Sequence, residues 1–314
     1  MATAYYSHPA CRAHDMGPGH PECPQRLGAI ADHLIATGLD HLLEHHDAPQ
    51  ASDEQILRAH DADYLDGLRA FMQRVEAQGE RRRLDPDTAA GPGTWAAALH
   101  AAGAAVAATD AVLGGWADNA FCAVRPPGHH ATRSRAMGFC FLNNVCIAAR
   151  HALEAGGLER VAIVDFDVHH GNGTEEIVAN DARMLMVSFF QHPLYPHSGA
   201  VPLGDNMVNV PVPPYTKGPE IRSLVEKMWL PRLDAFAPQM LFVSAGFDAH
   251  RDDDLGQLGL VEADYAWLTR QIKAVADHHA QGRIVSCLEG GYNLGALARS
   301  VAAHLRVLAG VVAP

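Results

Sequence analysis

Short apolar runs alternate with longer segments of helical spacing along most of the chain. Each run is bounded by turn residues and is short enough to be a buried strand. Six strands are predicted, at residues 3–6, 120–124, 161–164, 184–189, 240–245 and 283–288. Helices are predicted at residues 24–37, 54–78, 95–113, 144–155, 174–179, 219–236 and 262–280, and in a final segment that closes the chain. This alternation predicts an α/β fold whose parallel sheet is covered on both faces.

Breaks and loops follow from glycine and proline. The helix at 54–78 is expected to be interrupted near His60, and the helix at 219–236 to kink at Pro231, which cannot donate a backbone hydrogen bond. Three segments rich in Gly, Pro or charge are predicted loops, at residues 14–24, 81–93 and 191–218. No repeat or low-complexity linker divides the sequence, so residues 1–314 are predicted to form one domain.

Polar side chains crowd the end of the predicted strand at 161–164. Asp165, Asp167 and His169 follow it at alternate positions, and alternate side chains of an extended segment point to the same side. Two buried carboxylates and an imidazole are unfavourable together unless a cation compensates them. Such ligands suit a divalent metal, zinc first, with a position left for water. The alternative interpretation is that these residues simply begin an ordinary polar loop. Acidic and histidine side chains, however, rarely crowd the end of a buried strand without a function.

Two further strand ends carry candidate groups. Asp248 follows the strand at 240–245; alone it is typical of a helix cap, but with Asp167 and His169 it would complete a three-ligand metal site. Tyr292 follows two glycines and can bring a phenol to a developing oxyanion. A tyrosine packed at a turn is an equally good interpretation of that position by itself.

A pair of histidines follows the strand at 120–124. Tandem histidines are usually surface residues, as we expect for 45–46 and 278–279. At His129 and His130, however, the preceding Pro-Pro-Gly fixes the backbone, and Asp165 and Asn172 are available as partners. One imidazole could then act as general base and acid while the other gives electrostatic support.

Composition narrows the class of partner. Of the residues, 48% are hydrophobic and 19% charged, and 24 Lys and Arg against 36 Asp and Glu give a formal charge of −12. This argues against direct nucleic-acid binding and is compatible with a cationic substrate. Six cysteines without a C-x-x-C pair indicate reduced thiols. Since neither a signal peptide nor an apolar run of roughly 20 residues is evident, we expect a cytoplasmic protein that does not contact a membrane.

Five motifs together resemble the zinc-dependent histone deacetylase superfamily. They are Arg125-Pro-Pro-Gly-His-His, Gly138-Phe-Cys-Phe-Leu-Asn-Asn144, Asp165-Phe-Asp-Val-His-His-Gly-Asn-Gly-Thr174, Ser244-Ala-Gly-Phe-Asp248 and Glu289-Gly-Gly-Tyr292. Asn172 is similar to the class II branch, which includes bacterial deacetylases and relatives of acetylpolyamine amidohydrolases. The resemblance implies an arginase-like α/β fold with an eight-stranded parallel sheet, and metal-dependent hydrolysis of an acetylated amine to acetate and free amine.

The resemblance also implies roles for single residues. The implied zinc ligands are Asp167, His169 and Asp248, for which ferrous iron would also fit. The implied catalytic groups are His130 as general base and acid, His129 as its electrostatic neighbour, Asp165 as the residue orienting His129, and Tyr292 as the group polarising the carbonyl. An implied structural potassium site uses Asp165, Asp167 and Ser188. Hydroxamate-type inhibitors are expected to bind.

The implied substrate site is a narrow tunnel for an acyl-lysine chain. Its implied components are the walls Phe139 and Tyr195, Gly138 beside the chain, a rim carboxylate at Asp85 or Asp87, and Arg26 at an acetate exit. Two departures stand out. Leu255 stands where polyamine-selective members have a glutamate. This weakens the hypothesis of an acetylpolyamine substrate, because an apolar side chain cannot pair with an ammonium group. The segment 191–198 also differs from the usual wall, which leaves acyl preference open.

Four functions are therefore compared. The first is deacetylation of lysine side chains or lysine-like amines, and the second is deacylation of acetylpolyamines or other small molecules. The third is a binding module that keeps the fold without the reaction, although none of the ligands, His130 and Tyr292 is lost. The fourth is an arginase-type binuclear hydrolase, which would need more Asp and His ligands at these strand ends than we find.

Overall fold

An eight-stranded parallel sheet runs through the computed structural model, which describes residues 2–311. Its strands are β1 (Thr3–Ser7), β2 (Leu43–Asp47), β5 (Asn119–Cys122), β6 (Val161–Asp165), β7 (Met184–Gln191), β8 (Met207–Val212), β9 (Leu241–Ala245) and β10 (Ile284–Leu288). Their order across the sheet is β2-β1-β5-β10-β9-β6-β7-β8. The short strands β3 (Arg82–Arg83) and β4 (Ala89–Ala90) form a separate antiparallel pair inside a segment predicted to be a loop. The predicted eight-stranded α/β fold is confirmed.

Helices flank this sheet. They are α1 (Ala10–Ala13), α2 (Gln25–Ala36), α3 (Asp53–Ile56), α4 (Ala62–Gln78), α5 (Thr94–Leu113), α6 (Asn144–Glu154), α7 (Asn172–Val178), α8 (Gly218–Leu224), α9 (Leu230–Phe236), α10 (Glu262–His279) and α11 (Leu294–Leu308). In one group α2 and α10 both pack on α11, and α5 and α6 form another. The five strands β5, β6, β7, β9 and β10 are wholly buried, as strands covered on both faces must be.

Two strands, β2 and β8, were absent from the prediction, and both are edge strands. Most of β2 is exposed and reads Leu43-Glu-His-His-Asp47, so it lacks the apolar run that marks a buried strand. The other, β8, lies within the segment 191–218 predicted to be a loop. It contains Pro211, which is exposed and is tolerated because an edge strand has one unpaired side.

The segment 219–236 is helical, as predicted, but a π turn takes the place of the kink expected at Pro231. A π turn at Val225–Trp229 separates α8 from α9, and the amide of Leu230 donates to the carbonyl of Val225, five residues back. This wider turn accommodates Pro231, whose ring would otherwise collide with the carbonyl four residues earlier. It also turns Trp229 inward, where its ring stacks on that of Phe189.

Helix α5 contradicts one sequence expectation. With 20 residues and Asp110 as its single acidic or basic side chain other than histidine, it is long and apolar enough to cross a membrane by length and composition. Two-thirds of its most apolar window is nevertheless buried inside the protein, against α6 and the strands β1, β5 and β10. Buried core helices of globular proteins have the same composition.

Candidate active site

The candidate site lies at the carboxyl ends of the central strands β5, β10, β9 and β6. Parallel pairing aligns these ends; for example, Asp165 of β6 lies opposite Ser244 of β9, and Ser244 lies opposite Cys287 of β10. The loops that leave the four strands therefore meet at one edge of the sheet, where ligands bind in open α/β folds.

Three side chains from these loops form a compact cluster. One ligand atom from each of Asp167, His169 and Asp248 lies within 4.8 Å of the others, and both carboxylates are fully buried. Nδ1 of His169 is 3.0 Å from Oδ1 of Asp167 and 3.1 Å from Oδ2 of Asp248. Two oxygens and one imidazole nitrogen are a donor set that divalent zinc or iron accepts.

The convergence of this cluster does not come from a continued strand. Strand β6 ends at Asp165, and tight turns follow: the amide of Asp167 donates to Oδ1 of Asp165, and the amide of His169 donates to Oδ1 of Asp167. We expected an extended segment after Asp165 to point alternate side chains to the same side, and that explanation is wrong. The three predicted side chains nevertheless lie close together. Polar side chains that bond the backbone two residues on build such turns.

Two glycines allow the carboxylates to approach the backbone. A Cβ atom on Gly246 would lie 2.0 Å from Oδ2 of Asp167, and one on Gly290 would lie 2.0 Å from Oδ2 of Asp248. The amide of Gly290 instead donates to Oδ2 of Asp167 at 2.9 Å. Only glycine leaves room for this contact.

The cluster is strongly anionic. Burial alone would lower the pKa of His169, but the hydrogen bonds and charges of Asp167 and Asp248 raise it to about 10. Burial raises the pKa of Asp248 to about 7, and the charge of Asp167 adds to that shift. The carboxylates thus favour a positive charge between them, which a bound cation would supply.

The two histidines after β5 have different partners. Nδ1 of His129 is 3.0 Å from Oδ2 of Asp165, and Nδ1 of His130 is 2.8 Å from Oδ1 of Asn172. The Asn172 amide nitrogen faces the sulfur of Met137, so its oxygen accepts from His130, which leaves Nε2 of that ring with a free lone pair.

The pKa values of the two histidines are driven apart. Burial would lower the pKa of His129, but the charges of Asp167 and Asp165 raise it well above its usual value. Burial, together with the neighbouring rings of His129 and His169, holds the pKa of His130 well below its usual value. A neutral imidazole beside a cationic one is a pair suited to proton transfer.

A cavity of about 230 Å³ opens onto His130 and His169. Its other lining residues are Asp87, Gly138, Phe139, Leu194, Tyr195, Leu255 and Tyr292. Gly138 has φ of +56°, and a Cβ there would lie 2.4 Å from the His130 ring, so glycine is required where the wall passes that histidine. The cavity is a narrow, mainly apolar channel that ends at the anionic cluster.

The structure separates the two aspartates predicted as alternatives for the rim. Asp87 is exposed and lines the cavity, whereas Oδ1 of Asp85 accepts the amides of Asp87 and Thr88 and so closes a turn. Arg26 lies outside the lining: its buried guanidinium donates to the carbonyls of Gly291 and Glu289 and lies 5.1 Å from the Tyr292 ring.

Ser188, predicted to belong to a second cation site, lies beside Asp165 on the neighbouring strand. Its hydroxyl is buried and has no hydrogen-bonding partner among the described residues. An unpartnered buried hydroxyl beside a carboxylate fits the coordination of a monovalent cation.

Sequence reasoning assigned no role to two buried glutamates near the site. Glu289 accepts the amides of Gly128 and His129 at 2.7 and 3.1 Å, and burial raises its pKa to about 7. Glu22 pairs with Arg125 and Arg26 at fully buried positions. The sequence did contain a signal for these glutamates. Glu289, and Arg125 as the partner of Glu22, each begin a motif at the end of a buried strand, where a charged side chain needs a partner.

A second group of possible metal ligands lies at the opposite edge of the sheet, where α10 ends before β10 begins. It contains Asp234, His278 and His279, and it is largely exposed. A hydrogen bond of 2.8 Å between His279 and Asp234 accounts for their proximity.

Comparisons with known proteins agree with this geometry. The sequence profile of the histone deacetylase domain matches residues 20–308. The chain is 39% identical over 282 residues to a histone deacetylase-like amidohydrolase of Pseudomonas aeruginosa, covering 88% of this chain and 73% of that protein. It is 38% identical over 309 residues to a probable deacetylase of Archaeoglobus fulgidus, covering 95% and 83%. The crystal structure of the HDA15 HD domain matches with a TM-score of 0.92 at 32% identity, covering all of this chain and 91% of that one.

Proposed function

The chain belongs to the histone deacetylase family, and we propose that it is a metal-dependent amidohydrolase that removes acetyl groups from lysine side chains or lysine-like amines. The observation that carries this proposal is the narrow channel whose floor brings His130, Tyr292 and the cluster of Asp167, His169 and Asp248 together. An acetylated alkylamine is the substrate whose shape and chemistry fit that arrangement.

Asp167, His169 and Asp248 would hold the metal, and zinc is the metal we propose, with ferrous iron as the alternative for the same ligands. When bound, the metal supplies a Lewis acid that polarises the amide carbonyl and activates water. The raised pKa of His169, to about 10, supports a site that favours a cation. We also propose a structural potassium site at Asp165, Asp167 and Ser188, supported by the unpartnered Ser188 hydroxyl.

The side chains around the cluster divide the acid and base work. Nε2 of His130 would accept a proton from the attacking water and later donate it to the leaving amine. Its lowered pKa keeps the free ring neutral and able to accept. Asp165 would hold His129 in its cationic form beside it, because their contact is 3.0 Å and the pKa of His129 is raised.

Tyr292 would donate a hydrogen bond from its phenolic hydroxyl to the developing oxyanion. Burial, with the charge of Asp248, raises the pKa of Tyr292 well above its usual value, so the hydroxyl stays protonated and can act as a donor. Arg26 would hold the tyrosine loop through its hydrogen bond of 2.7 Å to the carbonyl of Gly291.

A lysine side chain is the favoured substrate because Phe139, Tyr195 and Leu255 give the channel apolar walls. Asp87 at the rim would accept hydrogen bonds from the substrate backbone. Acetylpolyamines are the second candidate class, and among the lining residues that the structure describes only Asp87 offers their distal ammonium a negative charge. We also propose a cytoplasmic location, supported by cysteines that form no disulfide within residues 2–311.

The test is a side-by-side kcat/KM for the zinc-loaded protein on an acetyl-lysine peptide and on acetylated putrescine and spermidine. A hydroxamate and a chelator-treated sample, reloaded with Zn²⁺ or Fe²⁺, serve as controls. We expect preference for the peptide, inhibition by the hydroxamate and loss of activity on chelation. Preference for the polyamines would reverse the substrate assignment, and no hydrolysis by metal-loaded protein would refute deacetylation of these substrates.

A further inference from the structure

Three consecutive aspartates follow the candidate ligand Asp248 in the loop that leaves β9. Asp252 and Asp254 are exposed, whereas Asp253 is 6% exposed. Among residues 2–311, Asp253 forms no ion pair with Lys, Arg or His. A buried carboxylate without a cation needs compensation by hydrogen bonds, since its desolvation is costly.

The compensation comes from three backbone amides. Oδ2 of Asp253 accepts from Tyr292 at 2.6 Å and from Asn293 at 2.9 Å, and Oδ1 accepts from Leu255 at 3.0 Å. One carboxylate therefore ties together two loops that are about 40 residues apart in sequence. Both Tyr292 and Leu255 line the same cavity.

Capping of the helix that follows does not account for these bonds. Helix α11 begins at Leu294, and the side chain of its N-cap residue, Asn293, already accepts from the amide of Ala296. The amides bonded to Asp253 belong to Asn293 and to the residue before it, outside the helix. Gly290 and Gly291, the latter with φ of +119°, precede Tyr292 and leave the backbone there conformationally free unless it is held.

We propose that Asp253 is a positioning residue, which fixes the Tyr292 phenol at the floor of the channel and Leu255 on its wall by bonding the backbone of both. This inference rests on the proposed deacetylase function. Asp253 touches neither the substrate nor the reacting atoms, so its effect would pass through Tyr292. A displaced phenol would stabilise the oxyanion less well but would leave binding of the substrate chain intact, so the effect should appear in kcat.

The test variant is Asp253→Asn, and the matched control is Asp254→Asn. Both remove one negative charge from adjacent positions, but only Asp253 bonds three amides. An asparagine has one oxygen and an amino group that is itself a donor, so it cannot accept all three amides. We expect Asp253→Asn to lower kcat on the acetyl-lysine peptide by about tenfold to hundredfold with KM changed less than about threefold. Asp254→Asn should match the wild type.

A cycle with Tyr292→Phe distinguishes positioning from general damage. If Asp253 acts through the Tyr292 hydroxyl, Asp253→Asn should change kcat less than about twofold once that hydroxyl is gone. The same fold loss in both backgrounds, or an Asp253→Asn variant as active as Asp254→Asn, would overturn the proposal. If Asp253→Asn does not fold, Asp253→Glu, which keeps the charge and moves the carboxylate by one methylene, takes its place.

A second readout does not depend on activity. Amide hydrogen exchange at Tyr292 and Asn293 should speed up in Asp253→Asn and stay unchanged in Asp254→Asn, because only the former loses the acceptor. A wild type inactive on every acetylated amine would refute the proposed function while this exchange measurement still tested the positioning. Unchanged exchange would overturn the positioning even in an active enzyme.

Discussion

The buried glutamate Glu22 is predicted to be one of the most sensitive positions for stability. Its carboxylate contacts the guanidinium of Arg125 through both oxygens, one at 2.6 Å, and that of Arg26 at 3.2 Å. Nε2 of His14 lies 3.4 Å away, and the three side chains with which Glu22 interacts are, like it, fully buried. Glu22→Gln would leave two guanidinium groups facing one neutral amide.

The magnitude follows from what remains after the substitution. Removing one partner of a buried ion pair costs about 3–5 kcal/mol because the other charge stays buried without compensation. Arg125 keeps the carbonyls of Cys11 and His14, and Arg26 keeps those of Gly291 and Glu289, so we expect the lower end, about 3 kcal/mol. At about 2 °C per kcal/mol for a chain of this size, Tm should fall by about 6 °C.

The same charge predicts how the difference depends on pH. Burial would raise the pKa of Glu22, but Arg125 and His14 hold it well below its usual 4.5. A carboxyl whose pKa is lower in the folded protein contributes stability above its unfolded pKa and loses it as the pH falls towards its folded pKa. The difference in Tm between the wild type and Glu22→Gln should therefore be largest near pH 7 and decrease below about pH 4.5.

Thermal melts followed by circular dichroism at pH 7 and pH 4 measure this gap. Glu54→Gln is the control, because Glu54 pairs with Arg58 but its own side chain is 84% exposed, so the substitution should change Tm by about 1 °C or less. The reasoning would be refuted if Glu22→Gln had the same Tm as Glu54→Gln at pH 7. It would also be refuted if the difference in Tm between Glu22→Gln and the wild type were the same at both pH values.

The remaining predictions concern the channel and its floor. Tyr292→Phe should retain the metal, measured by elemental analysis, and lose about 10²–10³ in kcat through loss of the oxyanion donor; near wild-type turnover would remove Tyr292 from the mechanism. Asp248→Ala should abolish both metal retention and activity, and a fully loaded, active variant would mean that the ligand set is wrong. Leu255→Glu should shift the ratio of kcat/KM towards acetylated spermidine by at least about tenfold, because it offers the distal ammonium a carboxylate; an unchanged ratio would show that Leu255 does not set the preference.

Periodicity predicted the inner strands because each is buried on both faces and so is uniformly apolar. It could not predict β2, whose exposed Glu44, His45 and Asp47 have the composition of a loop, because a strand at the edge of a sheet needs little apolar surface. Residue pattern singled out Asp167, His169 and Asp248 because polar side chains directly follow apolar runs, and the structure brings these three together.

Sequence could not rank residues whose role depends on burial. Asp252, Asp253 and Asp254 are identical in composition and consecutive, yet only Asp253 is turned inward onto the amides of another loop. Asp85 and Asp87 were equivalent for the same reason, and the turn that Asp85 closes separates them. The pairing of Glu22 with Arg125 joins residues 103 positions apart, which no local pattern reveals.

The position of β10 has a consequence for biosynthesis. Among residues 2–311 it is the last strand, but it lies between β5 and β9, in the middle of the sheet. About 160 residues separate β5 from β10, and at about 5–20 residues per second a ribosome adds them in roughly 8 to 32 seconds. During that time β5 has an unpaired apolar edge, and β9 adds a second one over about the last 40 residues, and such edges can aggregate. Gly290, whose amide donates to Asp167, follows β10, so the candidate metal-binding cluster is completed only after that strand has been made.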